Sequence, residues 1–380
     1  MHGEFEKRRG AEMDRRAFLQ VGAAVGLAGL TGRGRSWGGT DAATDPTLWL
    51  SWNENPLGLS AQARQAAVEA LQRAHRYPDR ARATLAVRLA ERNGVQPDNV
   101  VLGCGSTQIL QTIVWAEGAG KKPLILAEPT FEAMARYQGP FASEVKRVPL
   151  DARHAHDLER MKARAAGRPA VVYICNPNNP TATLTASAEI DDWIRQAPES
   201  VVFAIDEAYH EYVESPGYES SVKWVAERPN VVVTRTFSKL YAMAGLRLGY
   251  ALCHARTARR LREYISADNA NGVVLAAAEA SLEDSGLIER SRQINARSMQ
   301  IATSCLDELG LAYLPSHANF LMHRVNGDLK TYIERMREAG IRVGRPFPPL
   351  TGYNRLSLGL PEEMERWAAT LRTFRERGYA

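Results

Sequence analysis

Three short apolar runs in this 380-residue chain stop at residues able to do chemistry: Gly103 follows Val100–Leu102, Asn176 follows Val171–Cys175, and Asp206 follows Val201–Ile205. Runs of Val, Ile and Leu that do not alternate with polar residues are what strands buried on both faces look like. Further runs at Leu124–Ala127 and Val231–Thr234, with helical candidates at Thr107–Trp115, His156–Ala166 and Ser187–Gln196, complete the alternation expected of an α/β sheet. In open sheets of this class ligands gather beyond the carboxyl ends of the strands, so the three polar stops mark one expected site.

Beyond this region a long helical stretch from Ala276 to Leu309 leads into a second unit. It has strand candidates at Asn319–His323, Arg342–Gly344 and Arg355–Leu358, and helices at Leu329–Ala339 and Glu362–Arg375. This reads as a smaller α+β domain. The segment from Leu48 to Ala74 precedes the large unit and is expected to fold back beside the site.

The residues at the expected site describe one cofactor. Lys239 lies in the apolar and aromatic stretch Thr-Phe-Ser-Lys-Leu-Tyr, where burial and a cationic neighbour lower an amine pKa and free it to attack an aldehyde. Asp206 ends a buried strand and needs a cationic or donor partner, which a protonated pyridine nitrogen provides. Tyr209 and Asn179 can donate to a ring phenolate. Gly105-Ser106-Thr107 opens a helix, and such a terminus with two hydroxyls holds an anion, assisted by Ser238 and Arg247. A lysine amine, a carboxylate, ring donors and a phosphate cradle are the requirements of pyridoxal 5′-phosphate. Phe131 could stack on the flat ring. A nucleotide P-loop is excluded, because no Gly-Lys-Ser/Thr follows.

Arg15-Arg16-Ala17-Phe18-Leu19 precedes an apolar run from Val21 to Leu30, which looks like a twin-arginine export leader. That run is too short for a membrane span. Residues 1–40 carry seven Lys/Arg against four Asp/Glu, three of the formal five net positive charges, so the remaining body is near neutral. Nucleic acid is not an expected partner, since a basic stripe is missing. Cys104, Cys175, Cys253 and Cys305 lie far apart and read as buried small hydrophobes, and His154 and His156 as solvated surface; no metal site is expected.

Taken in order, Trp52-Asn53-Glu54-Asn55-Pro56, Arg76-Tyr77-Pro78, Gly105-Ser106-Thr107, Pro129-Thr130-Phe131, Asn176-Pro177-Asn178-Asn179-Pro180-Thr181, Asp206-Glu207-Ala208-Tyr209, Ser238-Lys239, Gly245-Leu246-Arg247-Leu248-Gly249 and Asn354-Arg355-Leu356 resemble the class I/II aminotransferases. The likeness is closest to their histidinol-phosphate branch and runs from about Leu48 to the C-terminus.

The resemblance implies a fold-type I homodimer whose mostly parallel, seven-stranded-type sheet lies between helices. The implied division is a leader at 1–40, an N-terminal segment at 41–75 packing with the small domain, a large cofactor-binding domain at 76–275 and a small domain at 276–380. Lys239 is implied as the lysine that forms the cofactor imine and shuttles the proton, with Asp206, Tyr209 and Asn179 on the ring. Gly105, Ser106, Thr107, Ser238 and Arg247 are implied on the phosphate, with Tyr77 reaching across from the other subunit, and Phe131 stacked on the ring. Arg355 is implied as the clamp on the substrate carboxylate, with Asn53 and Asn319 beside it.

The expected reaction is transamination between an amino acid or amine, histidinol-phosphate-like or aromatic, and a 2-oxo acid acceptor. A decarboxylase or lyase on the same fold, or a non-catalytic exported binding protein, remains open on the residues alone. Export through the Tat translocase places the enzyme in the periplasm, where histidine biosynthesis does not run; a cytoplasmic location is the alternative. Arg342 and Arg345 are candidates for a second substrate anion, and Trp52 and Tyr353 for an aromatic side chain. Two positions depart from the family pattern. Ala182 stands where glycine is usual, and Leu240 where a small residue is common, and both are expected to reshape the pocket slightly.

Overall fold

A computed structural model describes residues 47–118, 122–138 and 144–379. The expected leader therefore lies outside the described residues. The chain opens with β1 (Leu48–Leu50) and continues through β2 (Val100–Gly103), β3 (Leu124–Glu128), β4 (Val145–Pro149), β5 (Ala170–Cys175), β6 (Val201–Asp206), β7 (Val231–Thr236) and β8 (Gly249–Cys253). Strands β2 to β8 form one seven-stranded sheet in the order β2-β8-β7-β6-β5-β3-β4. It is parallel except at β8, which runs antiparallel to both β2 and β7.

The unbroken apolar runs arise because both faces of this sheet are covered. Val172, Ile174, Phe203, Ile205, Val231 and Val233 enter one core, which also takes Leu85, Leu89, Val274 and Leu275 from helices. Val171, Tyr173, Cys175, Ala204 and Val232 alternate into the opposite core with Ile109, Leu110 and Ile113 of the Gly105–Gly118 helix. Each fully buried Val, Ile or Leu contributes roughly 1.5–3 kcal/mol relative to exposure, enough in sum to fix the strand register. Strand β4 lacked an apolar run because it is an edge strand, and its Lys146 and Arg147 discourage further pairing there.

A third core surrounds two small sheets, one pairing β1 with β10 (Ile341–Val343) and one pairing β9 (Phe320–Arg324) with β11 (Tyr353–Ser357). It contains Leu50, Leu321, Leu356, Trp367 and Leu371. The N-terminal segment thus divides: Leu50 joins this core, whereas Ala63 and Ala67 of the Ala61–Ala70 helix pack in the first one. The long helical stretch expected from about Ala276 to Leu309 consists of two helices, Gly272–Glu283 and Leu287–Glu308. Asp284 separates them, accepting the Gly286 N–H at 3.2 Å and an Arg290 N–H at 2.5 Å.

Two surface assignments are corrected. His156 is buried, not solvated: its Nδ1 lies 2.8 Å from Thr185 Oγ1, and burial pushes its pKa down to about 4. Cys104 is exposed, because it occupies the turn between β2 and the following helix, while the other three cysteines are buried.

Candidate active site

Strands β5, β6 and β7 end side by side, with Cys175 paired to Asp206 and Asp206 paired to Thr234. Side chains alternate along a strand, so Asp206 projects to the same face as Ala204, Tyr173 and the Gly105–Gly118 helix. Its carboxylate accepts from Tyr173 Oη at 2.9 Å and from Thr234 Oγ1 at 3.2 Å. Burial raises the Asp206 pKa to about 6 against the pull of these two donors. It remains ionised at neutral pH, ready for a protonated partner.

Lys239 follows β7 and is half-buried. Its Nζ donates to the carbonyl oxygens of Trp52 and Asn53, both at 3.1 Å, and lies 5.8 Å from the centre of the Tyr209 ring. Burial, then the positive charges of Arg355 and Arg247, lower its pKa to about 8. Asn53 reaches this place in a left-handed conformation, φ 55°, fixed by Ser357, whose hydroxyl accepts the Asn53 N–H and donates to Asn53 Oδ1, both at 2.8 Å. Tyr209 Oη accepts from Asn53 Nδ2 at 3.1 Å and from Asn179 Nδ2 at 3.3 Å.

Arg355 on β11 closes the network. It donates to Asn179 Oδ1 at 2.7 Å and to Ser51 O at 2.6 Å, between the rings of Phe347 and Phe320 at 4.7 and 5.6 Å. The guanidinium is buried, its Nε has no hydrogen-bond partner, and no carboxylate of the described residues pairs with it. Burial lowers its pKa to about 10. A buried cation left without an anion is costly, so the arrangement suits an anionic ligand.

A second cluster sits at the start of the Gly105–Gly118 helix. Gly105 has φ +75°, and a Cβ there would meet Arg247 Nη2 at 2.1 Å. Gly249 on β8 lets the helix terminus approach, since a Cβ there would meet the Ser106 backbone nitrogen at 2.2 Å. Arg247, itself at φ 67°, donates to Ala244 O at 2.8 Å and to Ser238 Oγ at 3.4 Å. The helix start, the Ser238 hydroxyl and the Arg247 guanidinium therefore converge on one spot, a fit for phosphate.

The model of aminotransferase class I and II matches residues 45–371 of this chain. The chain belongs to the class I and II aminotransferases. It is 35% identical over 332 residues to histidinol-phosphate aminotransferase 1 of Idiomarina loihiensis, covering 86% of this chain and 89% of that protein. The crystal structure of a candidate histidinol-phosphate aminotransferase from Erwinia carotovora atroseptica is similar at a TM-score of 0.87 and 35% identity, over 88% of this chain and 98% of that one. A histidinol-phosphate aminotransferase from Sinorhizobium meliloti, solved with pyridoxal 5′-phosphate, is similar at a TM-score of 0.80 and 25% identity, over 91% and 100% of the chains.

This aminotransferase is a pyridoxal-phosphate enzyme acting on small-molecule amino donors and 2-oxo acid acceptors. The fold is that of fold-type I. Its residues fit the cofactor on three independent counts: the cradle that a Cβ at Gly105 would fill, the buried acid at Asp206 and the low-pKa amine at Lys239.

Not every candidate joins the aminotransferase site in the same way. Asn319 is buried and donates to Glu54 O at 3.1 Å, so it supports the turn that carries Asn53, and its Oδ1 is without a partner. Phe131 is partly buried against the second core, and Tyr77 is 79% exposed. Arg345 donates to Glu132 at 2.9 Å and lies 4.2 Å from the Phe347 ring, whereas Arg342 lies over Trp49. Trp52 is exposed, and Tyr353 is taken up by Arg324 and His154. Leu240 does not crowd the pocket: it is buried in the first core, and only its carbonyl faces the site region, accepting from Asn55 at 2.6 Å. Ala182 occupies φ 61°, the left-handed conformation that explains why glycine suits the position.

Tyr173, Thr234 and Ser357 were not singled out from the sequence. Strand register brings Tyr173 and Thr234 to Asp206, and Ser357 meets Asn53 in the segment that follows β1. Period-two alternation back from Cys175 would have pointed to Tyr173.

Proposed function

We propose that this aminotransferase moves the amino group of an amino acid or amine, histidinol-phosphate-like or aromatic, to a 2-oxo acid, with Lys239 as the amine that carries the cofactor and moves the substrate proton. Bound, pyridoxal phosphate supplies an aldehyde for an amine and a protonated ring that accepts the electron pair left by the departing α-proton. The observation that carries the reading is the Lys239 amine, held by two backbone carbonyls at 3.1 Å with its pKa lowered to about 8. Such an amine is neutral in a usable fraction near neutral pH and can take a proton at Nζ.

The remaining roles follow from charge. Asp206 meets the ring nitrogen, and Tyr209 and Asn179 meet the ring oxygen. Gly105, Ser106, Thr107, Ser238 and Arg247 hold the phosphate. Phe131 stacks on the ring. Arg355 binds the substrate carboxylate in two-pronged fashion, with Asn53 and Asn319 shaping the wall beside it. The exposure of Tyr77 supports a homodimer in which this phenol completes the partner's phosphate site.

The names of the relatives support histidinol phosphate as a donor. The Arg15-Arg16 pattern supports export by the Tat translocase to the periplasm, which favours an aromatic amino acid or another amine. Initial rates of the purified holoenzyme with histidinol phosphate and with aromatic amino acids, each against 2-oxoglutarate, test the reading. Keto-acid-dependent amino transfer is expected, and carbon dioxide release without transfer would refute it.

A further inference from the structure

The phenol of Tyr173 has no role so far, yet it is fully buried and donates its hydroxyl to Asp206 Oδ2 at 2.9 Å. A core position on β5 needs only the ring. Burying the hydroxyl is costly unless it is bonded, and a bond to a charged acceptor is worth more than one to a neutral acceptor. Thr234, also fully buried, serves the other oxygen at 3.2 Å. Three neighbouring strands thus hold one carboxylate by both oxygens, with Asp206 on β6 between donors on β5 and β7.

We propose that Tyr173 is a positioning residue of this aminotransferase: its hydroxyl, with Thr234 as the lesser donor, fixes the orientation and the negative charge of Asp206 and so determines how tightly the cofactor ring is held. The proposal rests on Asp206 being the partner of the ring nitrogen. The charged and titratable groups around Asp206 leave this task to Tyr173. Cys175 beside it is a buried thiol whose own pKa is pushed up, and Glu207 next in sequence adds a negative charge. Glu207 is itself occupied by Arg235 at 2.8 Å. Lys239 and Tyr209 lie on the loops beyond the strands. Burial drives Asp206 toward the neutral acid, and the Tyr173 hydrogen bond is the largest opposing influence.

Tyr173→Phe removes the hydroxyl and keeps the ring, and Thr234→Val does the same for the second donor. Pyridoxal phosphate affinity, its pH dependence, steady-state kcat and KM, and the infrared carboxyl band of the apoenzyme, assigned by difference against Asp206→Asn, are measured on the full chain. Loss of a donor to the ionised form raises an acid's pKa, so Asp206 becomes protonated at higher pH. Tyr173→Phe is expected to weaken cofactor binding about 10- to 100-fold at neutral pH. Affinity should be lost at a higher pH than in the parent enzyme, the protonated-acid band should appear at a correspondingly higher pH, and kcat should fall with KM unchanged. Thr234→Val is expected to shift all of these in the same direction by less, and decides the matter if the first variant does not fold. Unchanged affinity and an unchanged carboxyl titration in a folded Tyr173→Phe enzyme would overturn the proposal. Failure of the parent enzyme to bind pyridoxal phosphate would instead refute the role of Asp206 toward the ring, while the infrared comparison would still decide whether Tyr173 sets its charge.

Discussion

Arg355 donates to Asn179 Oδ1 at 2.7 Å, tying a strand of the third core to the Asn-Pro-Asn-Asn-Pro turn beyond β5. Asn179 passes the connection on to Tyr209 at 3.3 Å. Arg355, Asn179 and Tyr209 are therefore set by one hydrogen-bonded chain, so a change at one end is felt at the other.

Arg355→Lys keeps the charge but loses the planar fork and at least one of the two anchoring bonds. We expect KM for the 2-oxo acid, and for an amino donor that carries a carboxylate, to rise about 10- to 100-fold, the equivalent of about 1.4–2.8 kcal/mol. Steady-state kinetics check this. An unchanged KM for both substrates would remove Arg355 from the carboxylate site.

Lys239 titrates near 8 because burial and two guanidinium groups disfavour its ammonium form. The neutral amine is the reactive species, so reactivity rises with pH. The rate at which apoenzyme takes up pyridoxal phosphate, followed by absorbance, should climb through an inflection at about pH 8. An inflection more than a unit higher would mean that the amine is more solvated than its carbonyl contacts imply.

Gly105→Ala forces a Cβ to within 2.1 Å of Arg247 Nη2 at a backbone φ of +75°. The left-handed conformation costs an alanine about 1–2 kcal/mol, and the Arg247 head must move. Stability is expected to fall by that amount, while pyridoxal phosphate affinity falls at least about tenfold, because the phosphate cradle loses its guanidinium. Thermal unfolding and cofactor titration separate the two effects. Loss of stability without loss of affinity would place the phosphate elsewhere.

His156 and His323 are buried, and burial lowers both pKa values to about 4. Between that value and about 6.5 the unfolded chain binds protons that the folded chain refuses, so stability rises with pH across this window and is lost as pH falls through it. Each histidine can account for up to about 3 kcal/mol of acid destabilisation. His323→Gln, compared with the parent by chemical unfolding at pH 7 and pH 4.5, should show a smaller loss on acidification. An equal loss would assign the acid lability to other groups.

The sheet was legible because strands covered on both faces leave unbroken apolar runs, and the polar residue ending each run marked the site. Asp206 and the turn at Gly103 before the helix could be read in this way, and Lys239 from the apolar and aromatic stretch around it. What stayed hidden depended on pairing between distant segments. Tyr173 gains its meaning only from the register of β5 against β6, and Ser357 only from its two bonds to Asn53. The buried Arg235–Glu207 pair, at 2.8 Å, lay unseen beside the visible Asp206 for the same reason. The helix break at Asp284-Ser285-Gly286 did carry a local signal, an acid and a glycine at turn spacing. His156 carried none, since its polar neighbours in sequence face outward while the ring turns toward Thr185.

The central claim is that the amine of Lys239 is the one that bonds the cofactor. Reducing the holoenzyme with borohydride makes that bond permanent, and mass spectrometry of the digested protein locates it. The account predicts a single phosphopyridoxyl adduct on the peptide containing Lys239 and its disappearance in Lys239→Ala. An adduct on another lysine, or none on a catalytically active preparation, would contradict it.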